Sequence, residues 1–459
     1  MRIQSPWRPR LSGDHTSPLD ALVAALAQDI LAGRLESGDR LPAHRDLAWR
    51  LGIAIGTVTK AYGVLERRGL VRSVKGRGTF VAAAARRSGD LIDLSRNAPP
   101  AALGERTLAK TLAAVARKAD AGLFNAYPPL AGHTRFRTEV ARWFRRSGMN
   151  ADPARLLLTN GAQHGLAVSL ATLCGPGGTV FAETQTYPGI IGLARHLGLK
   201  LVPVAMDGEG MLPCALDRAL ADRREDRAAV CLTPTMHNPT TGTMSMARRQ
   251  EIVAVCRTHD RFIVEDDVYA LYAGAARPPL AVLAPERVFY VNSLSKTLNP
   301  SLRIGGIVVP QSMVDRAEAA VHAGGLLVST LSCAVMEQWV ADGTADIIGA
   351  AIREEARRRR ALCASLLGDA MRRCDHDGYH VWLPLPRKDA EHLELAARSH
   401  AIHVTPPSAT RTDPEDPTSG VRLCIGAPTL EDLDGALRAI RSILDAMAAE
   451  RPAHHAHLR

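Results

Sequence analysis

Two hydrophobic rhythms divide the chain. In "SPLDALVAALAQDILAG" (17–33), Leu19, Leu22, Val23, Leu26 and Ile30 recur at helical spacing. Ser17 can cap this helix, Pro18 suits its first position and Gly33 can end it. A shorter helix is expected in "PAHRDLAWRL", with Leu47 and Leu51 facing in and a turn at Gly52. A third helix is expected over 55–68, with Val58, Tyr62 and Leu65 as its inner stripe. Two short β-prone runs then flank Lys75-Gly76-Arg77-Gly78, a hairpin pattern.

From about Leu91 the rhythm changes. The apolar runs "RLLLT", "TVFAE", "KLVPVA", "AAVCLTP", "RFIVEDD", "RVFYVNS" and "RIGGIVV" alternate with helical stretches. Such alternation predicts an α/β domain with a mainly parallel sheet covered on both faces. "AAAARRSGD" (82–90) between the two regions is short and rich in small residues, as a linker is. The chain therefore reads as multidomain: a small α+β head over 1–81, a linker over 82–90 and an α/β body over 91–450. The basic end 451–459 reads as a disordered tail.

Charge changes the picture of the head. The 459 residues carry a formal net charge of +10. Residues 1–90 hold 15 Lys and Arg against 8 Asp and Glu, so a fifth of the chain carries most of the excess. A concentrated positive field favours polyanions through counterion release. Three short helices, a hairpin and this charge describe a winged helix-turn-helix, which lays its last helix in the major groove. Candidate contacts to double-stranded DNA are Arg45, Thr57, Thr59, Lys60, Lys75 and Arg77. A protein-interaction module with a solvated basic face has the same pattern. The segment "LPAHRDLAWRLGIAIGTVTKAYGVLERRGLV" followed by "GRGTFV" resembles the GntR family of bacterial repressors. Two departures stand out: Ala43, where that family usually has a small polar residue, and Ala54-Ile55, where it usually has Ser-Arg.

The eight cysteines are scattered without ligand spacing, which suggests buried thiols in a reducing compartment and assigns no metal. No run approaches the length of a membrane span and "MRIQSPWRPR" lacks a signal peptide's apolar core, so a cytoplasmic protein without a membrane partner is expected.

In open parallel sheets, ligands gather at strand ends. Here "NGAQHGL" follows the first body run as a glycine turn opening a helix, suited to an anion. Tyr187 follows the second run and offers a flat ring, and Asn238 sits in the turn after "CLTP". Asp266, Asp267 and Tyr269 close "FIVEDDVY", while "FYVNSLSKTLNPSLR" carries Ser293, Ser295, Lys296 and Arg303. Asp-Asp alone could be metal ligands or helix-start residues, and a lone lysine is usually on the surface. Together the set suits pyridoxal 5'-phosphate (PLP): a lysine for the aldehyde, a carboxylate for the pyridine nitrogen, an aromatic ring for stacking, and hydroxyls, an arginine and a helix N-terminus for the phosphate.

The body resembles class I aminotransferases of fold type I. The resemblance implies a large subdomain over about 125–325 and a smaller C-terminal α+β subdomain over about 350–450. It also implies Lys296 as the Schiff-base lysine, Asp266 on the pyridine nitrogen, Asn238 and Tyr269 on the phenolic oxygen, and Tyr187 stacked on the ring. Ala162, Gln163, Ser293 and Arg303 would hold the phosphate, Ser295 would also bind the cofactor, and Arg422 in "GVRLCIG" would clamp a carboxylate. Tyr127 would reach a neighbouring subunit's phosphate, which implies a homodimer. A GntR-like head on such a body is similar to the MocR group of transcription regulators. That resemblance implies an operator-binding protein whose body senses PLP, or an amine or amino acid reacting with it. The alternative is a working PLP-dependent aminotransferase with a DNA-binding appendage.

Overall fold

The structure is a computed structural model that describes residues 7, 17–31, 34–35, 38–67, 70–74, 78–81, 91–223, 227–272 and 277–449. Two compact units divide the chain: Met1–Ile92 with Ala101–Lys110 and Pro428–Gly435, and Asp93–Pro100 with Thr111–Ala427 and Ala436–Arg459.

In the head, α1 (Pro18–Leu31), α2 (His44–Leu51) and α3 (Ile55–Arg67) precede a hairpin of β1 (Val71–Val74) and β2 (Gly78–Val81). The start of α1 follows from its capping chemistry, because the Asp20 N–H donates to the Ser17 hydroxyl at 3.1 Å. Gly52, at φ 65°, ends α2 in the left-handed conformation and turns the chain toward α3. The apolar stripes meet in one core: Leu22, Leu26, Leu47, Val58 and Leu65 are fully buried, and Leu19, Ile30 and Leu51 pack against it. The buried Tyr62 keeps its hydroxyl satisfied by donating to the Pro42 carbonyl. β1 and β2 pair antiparallel from Val71 opposite Val81 to Val74 opposite Gly78. Gly33, the turn residues Lys75 and Arg77, the linker 82–90 and the tail 451–459 lie outside the described residues.

The seven apolar runs of the body form one sheet. They are β4 (Leu156–Thr159), β5 (Thr179–Glu183), β6 (Lys200–Val204), β9 (Ala228–Leu232), β10 (Phe262–Asp266), β11 (Val288–Ser293) and β12 (Gly305–Val308), ordered β4-β12-β11-β10-β9-β5-β6. All neighbours pair parallel except β12, which runs antiparallel to both β11 and β4. Burial on both faces explains why these strands read as continuous rather than alternating hydrophobic runs. One face packs Val180, Val264, Val291 and Ile307 against Leu166, Leu170 and Val321. On the other, Phe144 meets Tyr290 edge-on at 5.7 Å. The helix Ala162–Leu173 lies so close to the sheet that a Cβ at Gly165 would come within 2.9 Å of Ile307. Short strands β3 (Ile92–Asp93), β7 (Met206–Asp207) and β8 (Gly210–Met211) fall before and within this sheet region, and β14 (Ile402–His403) follows it. β13 (His380–Pro386) and β15 (Thr418–Cys424) pair antiparallel, with His380 opposite Cys424 and Trp382 opposite Arg422.

Candidate functional site

β10 and β11 run side by side, so Asp266 at the end of one and the Ser293–Lys296 turn after the other fall together. Asp266 is buried and its Oδ1 has no hydrogen-bond partner. Loss of water pushes its carboxyl up to about 7, helped by the neighbouring Asp267 charge and opposed by Lys296. Removal of the Lys296 ammonium from water draws that group down to about 8, against the attraction of Cys424 and Asp266. Nζ of Lys296 donates to the Asn97 carbonyl at 2.5 Å. The Asn97 side chain donates to the Tyr269 hydroxyl at 2.8 Å and lies 3.1 Å from Nδ1 of His380. Tyr269 therefore has its own proton left to give.

A second cluster of groups suits an anion. Gly161 adopts φ 77° before the helix Ala162–Leu173, whose N-terminus has no side-chain cap. Beside it, Arg303 in the left-handed region (φ 53°) donates to the Asn160 carbonyl at 2.9 Å and reaches the Ser295 hydroxyl at 3.4 Å. A Cβ at Gly161 would come within 2.8 Å of the Arg303 guanidinium, so glycine keeps the helix end and the arginine in contact. The Ser293 hydroxyl is 3.0 Å from both the Ser295 hydroxyl and the Ile304 carbonyl, and thus ties the turn together. Gln163 donates to the Gly189 carbonyl, leaving its buried Oε1 without a partner. Tyr187 precedes the helix Pro188–His196. Burial raises its phenol, which also feels the charges of Asp266, Arg422 and Arg303.

The third cluster centres on Arg422, fixed by β15. Its Nη1 donates to Asn238 Oδ1 at 2.6 Å, while Nη2 donates to the Ser95 carbonyl at 2.9 Å and the Thr405 hydroxyl at 2.8 Å. Nε is buried without a partner. Asn238 precedes a cis Asn238–Pro239 bond. Tyr127 lies apart from these groups in burial, being 93% exposed.

Several residues of this site carry no signal in the sequence. Asn97, Ser95 and Thr405 sit in irregular segments, where no periodicity marks their direction. Cys424 had a usable signal, because it follows Arg422 by two on a strand and so shares its face, and the strand pairing sets His380 opposite it. Behind Asp266 lies a buried charged group. Arg249 donates to the Pro234 carbonyl and the Thr235 hydroxyl and stands 3.9 Å from Glu265. Glu265 in turn accepts from the Leu280 and Ala281 N–H groups.

On the head, Arg45 and Lys60 are exposed and Thr57 is half-buried. The Thr59 side chain is exposed, but its hydroxyl donates to the Ile55 carbonyl at 3.0 Å and lies 3.1 Å from Nδ1 of His44.

Comparison with known proteins agrees with both halves of this architecture. Residues 18–81 match the gntR family of bacterial regulatory proteins, and residues 89–440 match aminotransferase class I and II. The uncharacterized HTH-type transcriptional regulator YdeF of Bacillus subtilis is 30% identical over 452 residues, covering 96% of this chain and 97% of its own. The probable rhizopine catabolism regulatory protein MocR of Rhizobium meliloti is 29% identical over 418 residues, 82% of this chain and 80% of its own. The chain belongs to the MocR-type transcription regulators. Its fold is shared with LysN, an alpha-aminoadipate aminotransferase from Thermus thermophilus, at a TM-score of 0.69 and 24% identity over 78% of this chain and 93% of that one. A MocR-type regulator thus joins a helix-turn-helix head to a body of PLP-dependent aminotransferase fold. Among the described residues, no helix is long and apolar enough to cross a membrane.

Proposed function

We propose that the body of this regulator binds PLP at Lys296, and that PLP, or an amine or amino acid reacting with it, changes the head's grip on operator DNA. One observation carries the reading: Lys296 and Asp266, opposite charges withdrawn from water, lie at adjacent strand ends, and Asp266 keeps an oxygen without a partner. A buried carboxylate oxygen without a donor is costly, so a ring N–H is a fitting partner. When bound, the cofactor supplies an aldehyde that takes up a primary amine with loss of water, and a ring that withdraws electrons.

This chain's own residues supply the rest. Depression of the Lys296 ammonium to about 8 enlarges the neutral, reactive fraction at neutral pH. Tyr269, already accepting from Asn97, can donate its proton to a phenolate, and Asn238 can serve the same oxygen. Tyr187 offers a face for stacking. The uncapped helix end at Ala162 and Gln163, with Arg303, Ser293 and Ser295, suits a phosphate dianion. Arg422, with Nε unpaired, suits an effector carboxylate. The exposed Tyr127 fits a role toward a second subunit, and hence a homodimer that presents paired heads to two half-sites. In the head, residues 1–81, Arg45 and Lys60 fit phosphate contacts, with Lys75 and Arg77 as further candidates.

The test is a footprint of the DNA upstream of the protein's own gene, with and without PLP, alongside the absorbance of the full-length protein. A yellow protein whose footprint changes with PLP is the expected result. A protein that stays colourless with PLP would remove the cofactor reading. Steady multiple-turnover transamination with ordinary amino donors and keto acids would overturn the sensor in favour of an enzyme.

A further inference from the structure

The groups that would meet cofactor and effector are both tied to one short segment. Lys296 Nζ donates to the carbonyl of Asn97, and Arg422 Nη2 donates to the carbonyl of Ser95. The Thr405 hydroxyl and the Cys424 thiol also point to the Ser95 carbonyl, at 3.2 and 3.4 Å. Backbone bonds complete the seam: the Leu94 N–H donates to His403, and the Cys424 N–H donates to the Leu94 carbonyl. A Cβ at Gly426 would come within 2.0 Å of the Ala98 carbonyl oxygen, so the chain leaving β15 can lie against this segment only because residue 426 is glycine. The covalent path matters as much. The chain passes from the head's unit into this segment between Ile92 and Asp93, and returns to that unit after Pro100. It enters the same unit again after Ala427, three residues beyond β15.

We propose that residues 93–98 are the transmission segment of this regulator: Ser95 and Asn97 are positioning residues whose carbonyls compete with effector and cofactor for Arg422 and Lys296. The inference rests on the reading that the site takes PLP. Condensation with the aldehyde would send two of the three Lys296 ammonium hydrogens into the departing water and the third to solvent or to the cofactor, so the nitrogen would no longer donate to Asn97. A carboxylate held by Arg422 draws Nη2 from the Ser95 carbonyl and from Thr405. Each event removes an anchor from the segment that leads directly into the head's unit. Occupancy then favours a looser segment because it competes for the same donors, which is the differential interaction that a population shift requires. The Asn97 side chain adds a second link, since it joins Tyr269 and His380 to the residue whose carbonyl holds Lys296.

The test is amide hydrogen exchange on the full-length protein, with absorbance followed in the same samples. In wild type, PLP should bring up the yellow band and speed exchange within 91–100 by roughly ten- to a hundredfold, the scale of one lost hydrogen bond to a charged donor. Exchange in the central strand 228–232 should stay unchanged, which separates release of the segment from general loosening. In Lys296→Ala, exchange within 91–100 should be fast before PLP is added and indifferent to it. Thr405→Val, which removes the hydroxyl shared by Arg422 and Ser95, should speed exchange within 91–100 before PLP is added. A yellow band with unchanged exchange in 91–100 would overturn the transmission role and leave the cofactor site standing. Absence of the yellow band would overturn the site reading itself, and the proposal with it.

Discussion

The head buries an apolar core, whereas the body buries charged side chains as well as its own apolar core. The head's core is built on Leu22, Leu26, Leu47, Val58 and Leu65, and its candidate contacts Arg45, Thr59 and Lys60 are exposed. The body also buries Glu265, Asp266 and Asp267 at the end of β10, Arg249 on the helix Met246–Thr258 and Arg422 on β15. An apolar core needs only shape and volume, whereas each buried charge needs its own partner or costs several kcal/mol, on the order of the whole stability margin. A fold carries such groups where chemistry requires them. It follows that changes on the head's surface act one at a time, while changes at the body's site act through shared partners.

The sharpest way to break that contrast is Lys296→Ala. It should abolish the yellow absorbance of the PLP-loaded protein completely, as no other residue holds an amine beside Asp266 among the described residues. Head substitutions should leave that absorbance untouched. Next in size is Leu26→Ala, a fully buried position in the head. Truncation there should cost about 2–5 kcal/mol, enough to bring a small domain near its unfolding limit. Limited proteolysis should then cut the head, and DNA binding should fall, while the body keeps its cofactor band. Loss of that band in Leu26→Ala would mean that the two halves do not fold independently.

The same contrast explains what could be read from the chain. Seven apolar runs became the seven strands of the sheet, because burial on both faces leaves an unbroken hydrophobic signature. The three head helices followed their apolar stripes and their punctuation at Ser17 and Gly52. Asp266, Ser293 and Lys296 were visible because strand ends are marked by the runs that precede them. Asn97, Ser95 and Thr405 were not. Their contacts run through backbone carbonyls, the Thr405 hydroxyl and the Asn97 amide in irregular segments, where no periodicity marks them, and a backbone carbonyl is the same for every residue type. Thr59, a candidate DNA contact by residue type, is exposed, and its hydroxyl also donates to the Ile55 carbonyl and faces His44.

A subtler effect separates stability from binding at the site. Asp266 releases its proton at about 7 in the folded chain, against an ordinary value of 3.8. The unfolded chain ionises first, so between these pH values the carboxyl increasingly opposes folding, and the penalty is complete above about 7. Asp266→Asn should therefore raise the thermal midpoint without PLP at pH 8, with the gain fading as pH falls through 7 toward 4. The same variant should weaken PLP binding by about 10- to 100-fold, the scale of one hydrogen bond to a charged group. Calorimetric scans at several pH values, with and without PLP, read both. A midpoint that falls at pH 8 would show that the carboxylate stabilises the chain without cofactor, contrary to its burial.

The smallest effects belong to the exposed head residues. Arg45 and Lys60 stand in solvent on α2 and α3. A phosphate contact from either is one released counterion, so Arg45→Ala or Lys60→Ala should reduce the slope of log affinity against log salt by about one. Neither should alter the preference among DNA sequences, because phosphates carry no base identity. The two losses should add, since separate solvated contacts share no partners. That additivity is the test of the contrast: measured across a salt series, the double variant should lose the sum of the single effects. A double variant that loses much more than the sum would place Arg45 and Lys60 in one linked network. The head would then behave as the body's buried site does, where Lys296, Asn97, Tyr269 and His380 are linked and cannot be changed singly.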